Sequence, residues 1–362
     1  MSYLIFFVFA FILSIIFTKI VRYFALKYKI LDYPEKAQER KIHKKPIPLL
    51  GGLAIFFSFF LVLFFLLTTG ILKLETIFLK NIIGVFLASL ILMIGGILDD
   101  RYNLSPTKQL LFSILAILVV ITSGIGIKYI NNPFAPGLIF LEIKKIEVLR
   151  ISGIPYYLAW PADLITFIWL LLIIYSLKLL AGLDGLVPGM TSIGALMIFF
   201  LCLFTKFYQP DVGSLAIILA GASLGFLLFN FHPAKIFLGT SGETFSGFML
   251  GTLAIISGSK IATLLLVLGI PILDTLWVIL RRIFKEKHWP FLADKNHLHF
   301  RLLDFGFSHQ GVVIFLWGLA FIFGLIGILF PVTETKVLAL GILIVVMIGL
   351  AILVTRKKLT GI

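Results

Sequence analysis

The chain has 362 residues, of which 60% are hydrophobic and only 13% are charged, and its mean hydropathy is +1.12. Soluble globular proteins average about 45–50% apolar and about 25% charged residues. The composition therefore excludes a water-soluble enzyme, a disordered chain and a nucleic-acid-binding module, despite the net charge of +14. The single cysteine, Cys202, lies inside an apolar run and excludes a disulfide framework or a cysteine-based metal site.

Eleven stretches are apolar and long enough to predict an all-α polytopic membrane protein, with residues 1–362 forming one integral membrane domain. Their lengths and lack of alternation argue against a membrane β-barrel. The first stretch has no basic segment before it and no small-residue cleavage site after it, which predicts a retained span. The predicted spans are 3–21, 51–72, 82–98, 110–126, 164–180, 188–205, 214–230, 244–257, 261–280, 312–330 and 336–355.

The connecting segments differ in charge, and this difference predicts the orientation of the chain. Lysine and arginine are about twice as frequent in one alternate set of segments as in the other, and such segments face the cytoplasm. The rule predicts a cytoplasmic basic loop at 22–50, a cytoplasmic histidine-containing loop at 281–311 and a cytoplasmic carboxyl terminus. All six histidines lie on this side. Because histidine titrates near neutral pH, we expect any chemistry in a cleft at the cytoplasmic face.

The longest segment on the opposite side, residues 127–163, has a different character. Within it, Ile139–Ile151 alternates apolar and polar residues around two lysines. This alternation predicts a small external β-hairpin. The segment has no histidine and no paired carboxylates, so a structural lid is the favoured interpretation.

Carboxylates at predicted helix ends are the first candidates for chemistry. Asp99 and Asp100 follow the third span, and Asp184 lies in a glycine-rich turn between the fifth and sixth spans. Two adjacent carboxylates repel, so both stay ionised only beside cations or a metal ion. Lys108 begins the next span and is placed to face the pair. A solvated helix end and an ordinary tight turn are the alternative explanations.

Histidines and basic residues in the 281–311 loop suggest binding of phosphate. His297, His299 and Arg301 lie within five residues of chain and suit a phosphate-rich substrate. Zinc is disfavoured because neither a cysteine nor a second histidine pair completes a site. Small residues before the eighth span leave backbone N–H groups suited to a phosphate, although helix capping explains them equally well. Asp274, inside the ninth span, is either functional or paired with another helix.

Together and in this order, these motifs resemble those of the polyprenyl-phosphate N-acetylhexosamine-1-phosphate transferases, a superfamily that includes phospho-N-acetylmuramoyl-pentapeptide transferase. The resemblance covers nearly the whole membrane body. Leu49, where the peptidoglycan branch usually has arginine, favours the N-acetylglucosamine-type branch. The matching pieces are Asp32-Tyr33-Pro34, Arg40-Lys41-Ile42-His43, 46–52, Asp99-Asp100, Leu183-Asp184-Gly185-Leu186, 230–235, 271–275 and 294–299.

The resemblance implies that a UDP-N-acetylhexosamine gives its sugar 1-phosphate to a polyprenyl phosphate in the bilayer, which releases UMP and starts a cell-wall or surface glycan. It implies that Mg²⁺ neutralises the pyrophosphate, at the cytoplasmic face of the plasma (inner) membrane. A homodimer is left open. The implied catalytic residues are Asp99, Asp100 and Asp184. The implied substrate-binding residues are Arg40, His43, Lys108, Lys178, Glu243, His297, His299 and Arg301.

The chain departs from the family pattern at acidic positions. Where the family has Asn-Leu-x-Asp before its Gly-x-Asp-Gly, this chain has Lys178 and Ala181 in place of the asparagine and the aspartate. In this chain, Thr240 replaces the metal-binding aspartate of the family's Gly-Asp-x-Gly-Ser motif. We therefore expect the family's Mg²⁺ site to be degraded in this chain, and the sequence does not identify the residues that would bind a metal ion. We expect Lys178, paired with Asp184 or Asp99, to supply part of the missing charge.

Two functions from different classes therefore stay open. One is a divergent but active sugar-1-phosphate transferase that uses Glu243 or Asp100 as a substitute metal ligand. The other is a catalytically silent relative that binds the prenyl phosphate or the nucleotide sugar, or scaffolds glycan assembly. A transporter is disfavoured because the predicted spans carry few ionisable residues.

Overall fold

The computed structural model describes residues 2–34, 45–132, 137–151, 154–204, 208–258, 261–287, 297–330 and 332–360. Within these ranges the chain is mainly helical. The helices are α1 (Ser2–Lys27), α2 (Gly52–Thr68), α3 (Leu79–Tyr102), α4 (Pro106–Thr122), α5 (Ala162–Leu180), α6 (Leu186–Phe204), α7 (Pro210–Asn230), α8 (Gly239–Ile256), α9 (Ile261–Val267), α10 (Gly269–Arg281), α11 (Leu298–Asp304), α12 (His309–Leu329) and α13 (Thr333–Thr360). A π-helical turn, Arg282–Glu286, follows α10.

Each predicted span coincides with a helix or helix pair, but not all of these helices qualify as membrane spans. Seven are long and apolar enough to cross a membrane: α1, α3, α5, α6, α7, α12 and α13. The α9–α10 pair passes the same test together but is bent by 78°. Helices α2 and α4 are apolar and have 17 residues each, at the lower limit of the roughly 17–25 residues that span a bilayer. The described residues therefore support a polytopic membrane protein with seven or eight candidate spans, whereas eleven were predicted.

The polar segment between α4 and α5 contains two antiparallel strand pairs. Strand β3 (Tyr129–Asn131) pairs with β4 (Leu138–Phe140), and β5 (Glu142–Ile151) pairs with β6 (Ile154–Pro161). Residues 139–151, predicted to form a hairpin alone, thus contribute strands to both pairs. The second pairing escaped prediction because β6 is apolar along most of its length and lacks the alternation that signals a strand.

Close backbone contacts bring the first turn of α8 against α2 and α3. A side chain at Gly52 would collide with the backbone of Gly242, and one at Gly96 would collide with Ser241. Small residues allow this approach between helices in a membrane, where packing rather than hydrophobicity drives association. The contact places the beginning of α8 beside the last turn of α3.

Because neighbouring helices alternate in direction, one end of the bundle collects most of the predicted motifs. The carboxyl-terminal ends of α1, α3, α5 and α7 meet the amino-terminal ends of α2, α4, α6, α8 and α12 there. Strands β1 (Leu31–Asp32) and β2 (Ile47–Pro48) pair at the same end. The residues after β2 are hydrogen-bonded to the loop before α8, because the N–H of Gly51 donates to the carbonyl of Phe237 over 3.0 Å.

Candidate functional site

A cavity of about 1180 Å³ opens at this end of the bundle, between the ends of α3, α5 and α7. Its lining combines carboxylates, histidines and cations from segments far apart in sequence. The predicted site residues that line it are Asp99, Asp100, Lys178, Asp184, Glu243 and His297. One cavity therefore contains the aspartate pair, the glycine-rich turn and His297 of the 281–311 loop. The chemical role of each residue stays a prediction.

The aspartates of α3 are held by a network of neutral donors. Asp99 accepts hydrogen bonds from Nε2 of Gln109 over 2.7 Å and from the hydroxyl of Thr240 over 2.6 Å. Asp100 Oδ1 accepts one from the backbone N–H of Thr240 over 2.8 Å. A side chain at Gly239, where φ is +73°, would collide with Asp100 Oδ2. That buried oxygen has no hydrogen-bond partner among the described residues.

Lys178, in the last turn of α5, lies beside this network. Its ammonium donates to Oε1 of Gln109, the same amide whose nitrogen donates to Asp99. Its charge also interacts with the carboxylates of Asp99, Asp100 and Glu243. The expected pairing of Lys178 with an aspartate therefore takes place through an intervening glutamine, which the sequence did not single out.

Asp184 belongs to a second network at the rim of the cavity. Its carboxylate accepts hydrogen bonds from Nδ1 of His232 over 2.7 Å and from the N–H of Ala234 over 3.1 Å. Its own N–H donates to Nε2 of His309 over 2.8 Å, and the two imidazole rings stack at 4.0 Å. Helix α5 ends at Leu180, before Asp184, so Lys178 and Asp184 do not share a face of one helix.

His297 is held by Asp274, the ionisable residue predicted inside the ninth span. Its Nδ1 lies 2.7 Å from one oxygen of Asp274, whose other oxygen accepts the N–H of Leu298 over 2.9 Å. Both side chains are buried. A carboxylate partner fixes the orientation and tautomer of an imidazole. The remaining nitrogen, Nε2, has no hydrogen-bond partner within the described part of the chain.

His299, predicted to bind substrate, packs beneath the cavity and is not among the described residues that line it. It is fully buried, and a side chain at Gly182 would collide with its Nε2. Burial lowers the pKa of His299 well below its usual value, and the nearby His297 and His309 lower it further. At neutral pH His299 is therefore an uncharged packing residue.

Two other predicted binding residues, Arg301 and Lys108, are not among the described residues that line the cavity. The guanidinium of Arg301 donates to the backbone carbonyl of Ala351 in α13 over 2.9 Å. Lys108 is exposed on the first turn of α4. Arg40 and His43 lie outside the described residues. The functional prediction for these four residues stays untested.

Potential metal ligands come together in one place within the described ranges. Ligand atoms of Asp184, His232 and His309 lie within 4.8 Å of one another. Their hydrogen bonds explain this spacing, because His232 donates to Asp184 and the backbone of Asp184 donates to His309. The group therefore positions the α5–α6 turn without requiring a metal ion.

The aspartate pair of α3 is a poor match for the Mg²⁺ that the resemblance implies. Mg²⁺ requires near-octahedral oxygen ligation, and no group of three carboxylate or imidazole ligands forms around Asp99 in the described structure. Instead Thr240 and Gln109 direct hydrogen-bond donors at the carboxylates, and Lys178 adds a positive charge. The residues present do not suit a divalent cation.

Comparison with known proteins identifies the family. A sequence model of glycosyl transferase family 4 matches residues 82–258. A protein of Bacillus subtilis named "Probable undecaprenyl-phosphate N-acetylglucosaminyl 1-phosphate transferase" is 33% identical over 355 residues, which cover 95% of this chain and 90% of that protein. The chain belongs to glycosyl transferase family 4. The superfamily inferred from the motifs is confirmed, and the chain is a member of an enzyme family of sugar-1-phosphate transferases.

Two further relatives show the breadth of the family. A decaprenyl-phosphate N-acetylglucosaminephosphotransferase of Mycolicibacterium smegmatis is 30% identical over 93% of this chain and 85% of that protein. A phospho-N-acetylmuramoyl-pentapeptide-transferase of Moorella thermoacetica is 34% identical, but over 53% of this chain and 59% of that protein. The similarity to proteins named for N-acetylglucosamine therefore extends over more of the chain.

Proposed function

We propose that this chain transfers N-acetylhexosamine 1-phosphate from a UDP-sugar to a polyprenyl phosphate and releases UMP. The observation that carries the proposal is the single cavity that joins Asp99, Lys178, Asp184 and His297 at one end of a membrane-spanning bundle. The names of the relatives support N-acetylglucosamine as the sugar and a polyprenyl phosphate as the acceptor. The distribution of lysine and arginine supports a cytoplasmic location for this end, in the plasma membrane.

The size of the cavity suits two substrates. Its volume of about 1180 Å³ exceeds the roughly 300–1,000 Å³ of common small-molecule sites. A nucleotide sugar and the phosphate of a lipid would both have room. The polyprenyl chain would stay in the bilayer while its phosphate reached the polar end of the bundle.

The chemistry requires positioning more than covalent participation by the protein. An oxygen of the acceptor phosphate attacks the β-phosphorus of the UDP-sugar, and the bond from that phosphorus to the oxygen bridging to the α-phosphate breaks, so UMP leaves. A phosphate monoester has its second pKa near 6 and is largely deprotonated at neutral pH, so the acceptor needs little help from a base. Asp184 would position the nucleotide sugar, while Lys178 and His297 would face phosphate charge.

A catalytically silent relative is the second candidate, and a specific observation favours it. At Thr240 the family has an acidic residue, whereas here the threonine hydroxyl and N–H are hydrogen-bonded to Asp99 and Asp100. Ala181 replaces a second acidic residue in the cavity lining. Such a protein would bind the nucleotide sugar or the lipid phosphate without transferring the sugar.

Purified protein with undecaprenyl phosphate and radiolabelled UDP-N-acetylglucosamine separates the two functions. The proposed transfer yields lipid-linked radiolabel and UMP in equal amounts, and both products disappear in Asp184→Asn. Lys80→Gln, an exposed change at the other end of α3, is the matched control. Ligand-induced stabilisation without UMP would instead support the silent relative. The absence of both lipid-linked product and ligand-induced stabilisation would contradict both candidates, provided that the same result is obtained with UDP-N-acetylgalactosamine.

A further inference from the structure

We propose that Lys178 is a built-in counter-cation for the twin aspartates, Asp99 and Asp100, and that this chain therefore takes no divalent metal ion there. The inference deepens the proposed function, because it concerns how the same site would balance the charge of a diphosphate. It rests on that function only for the identity of the anionic ligand, since the cation at the aspartates is measurable without any substrate.

The first step is the state of the carboxylates. Both oxygens of Asp99 and one oxygen of Asp100 already accept hydrogen bonds from neutral protein donors, over 2.6 to 2.8 Å. Mg²⁺ binds carboxylate oxygens at about 2.0–2.1 Å in a demanding octahedral arrangement. A metal ion would have to displace the hydroxyl of Thr240 or the amide of Gln109. The remaining oxygen, Asp100 Oδ2, is buried.

The second step is the way in which the chain fixes Lys178. Nε2 of Gln109 donates both to Asp99 and to the carbonyl of Leu104 over 2.9 Å, so its Oε1 is left to accept from Lys178. The ammonium also lies 5.4 Å from the ring centroid of Tyr175, within the range of a cation–π contact. The lysine is therefore held in place by its surroundings rather than extended into solvent.

The third step is electrostatic. Asp99, Asp100 and Glu243 bring three carboxylates close to Lys178, and their mutual repulsion calls for a cation in the largely buried site. The ammonium meets part of this need. A divalent ion bound at the same oxygens would be repelled by the lysine, so one chain does not accommodate both cations at this position.

The test measures metal binding and thermal unfolding of the purified full chain. For the wild type, we expect the same melting temperature in EDTA and in millimolar Mg²⁺. Lys178→Met should melt at a lower temperature in EDTA and recover in Mg²⁺, because the divalent ion replaces the missing charge. Its affinity for Mn²⁺, followed by electron paramagnetic resonance, should rise by about tenfold or more, the equivalent of about 1.4 kcal/mol.

Further variants assign the binding to these residues. Lys178→Arg should stay insensitive to Mg²⁺, and the exposed control Lys80→Met should match the wild type. Adding Asp99→Asn to Lys178→Met should abolish the gained Mn²⁺ binding. If Lys178→Met does not fold without metal, the Lys178→Asn, Thr240→Asp double variant restores the family ligand, and we expect the same gain in Mn²⁺ affinity.

Two results would overturn the inference. One is Mn²⁺ binding by the wild type that Asp99→Asn removes. The other is a folded variant without Lys178 that gains neither Mn²⁺ affinity nor stabilisation by Mg²⁺. Wild-type Mn²⁺ binding could also persist in Asp99→Asn and disappear in His232→Gln. The ion would then bind beside Asp184 at the rim of the cavity, and this result would support an aspartate pair without a metal ion. Because these measurements involve no substrate, they stay valid if the chain does not transfer sugar phosphate. The transfer assay in turn stays valid if the inference about Lys178 fails.

Discussion

Buried carboxylates at the two ends of the helix bundle have different surroundings. At the end away from the cavity, Asp211 lies in the first turn of α7 and is 1% exposed. It accepts hydrogen bonds from the backbone N–H groups of Glu75, Thr76 and Ile77 over 3.2, 2.7 and 3.0 Å. These donors belong to one loop, so the carboxylate joins that loop to α7 and has a structural role.

At the cavity end, the carboxylates line the cavity and accept hydrogen bonds from both side chains and backbone N–H groups. Asp99 joins α4 and α8 through Gln109 and Thr240. The carboxylate of Asp184 accepts hydrogen bonds from His232 and from the N–H of Ala234, and the backbone N–H of Asp184 donates to His309. Here polar atoms stay available to a ligand. Position in the lining of the cavity, rather than the kind of hydrogen-bond donor, therefore distinguishes the candidate functional carboxylates Asp99 and Asp184 from Asp211.

The largest effect is expected for Asp184→Asn, which keeps the shape of the side chain but removes its charge. Loss of one positioned electrostatic group in an active site commonly reduces the rate by about 100- to 1,000-fold. We expect such a fall in UMP release, with a melting temperature close to that of the wild type. A folded variant that keeps more than about a tenth of the activity would place Asp184 with the structural carboxylates instead.

At the opposite end, Asp211→Ala should lower stability and spare activity. It leaves the N–H group of the buried Ile77 without its acceptor, which costs about 1–3 kcal/mol. It also removes the acceptor of the N–H and hydroxyl groups of the exposed Thr76. We expect a loss of about 2–4 kcal/mol in the free energy of unfolding, measured in detergent, and unchanged UMP release per folded molecule. Glu75→Ala is the matched control, because Glu75 uses only its backbone and its side chain is exposed. Equal melting of both variants would refute the structural role.

Sequence reasoning predicted the helical segments well, because apolar runs of this length have few other stable states in a membrane. It did not predict the 78° bend between α9 and α10, although Pro271 is a local signal for a break, because a proline ring clashes with the carbonyl four residues earlier, here that of Val267, where α9 ends. It also predicted eleven spans, whereas the lengths and composition of the described helices support seven or eight. Hydropathy records composition and does not set the ends of a helix.

The sequence predicted the site residues that belong to recognisable motifs. It did not predict the residues that reach the site only through the folding of the chain. Asp99 and Asp184 stood out as carboxylates at helix ends. Gln109 did not, because a lone glutamine carries no pattern and its role depends on how α4 turns beside α3. His232 and His309 were predicted to lie on the same face as these residues, but their contact with Asp184 joins segments more than 45 residues away in sequence.

A smaller effect concerns pH and the buried His299. Its pKa in the folded chain lies below 6.5, so the unfolded chain binds more protons as the pH falls. Stability is therefore complete above pH 6.5 and decreases below it, by at most about 1.4 kcal/mol per pH unit for one group. Melting temperatures between pH 7.5 and 5 should fall less steeply in His299→Asn than in the wild type. Parallel curves would show that other groups cause the dependence.

The smallest effect is expected at Lys108, next to the glutamine that links Lys178 to Asp99. Lys108 is exposed and is not among the described residues lining the cavity, and exposed charges usually contribute little. Lys108→Gln should therefore change UMP release by less than about twofold. Gln109→Ala, one position further along α4, removes the link and should reduce activity more. A larger loss at Lys108 than at Gln109 would support the predicted role of Lys108 in binding the substrate phosphate.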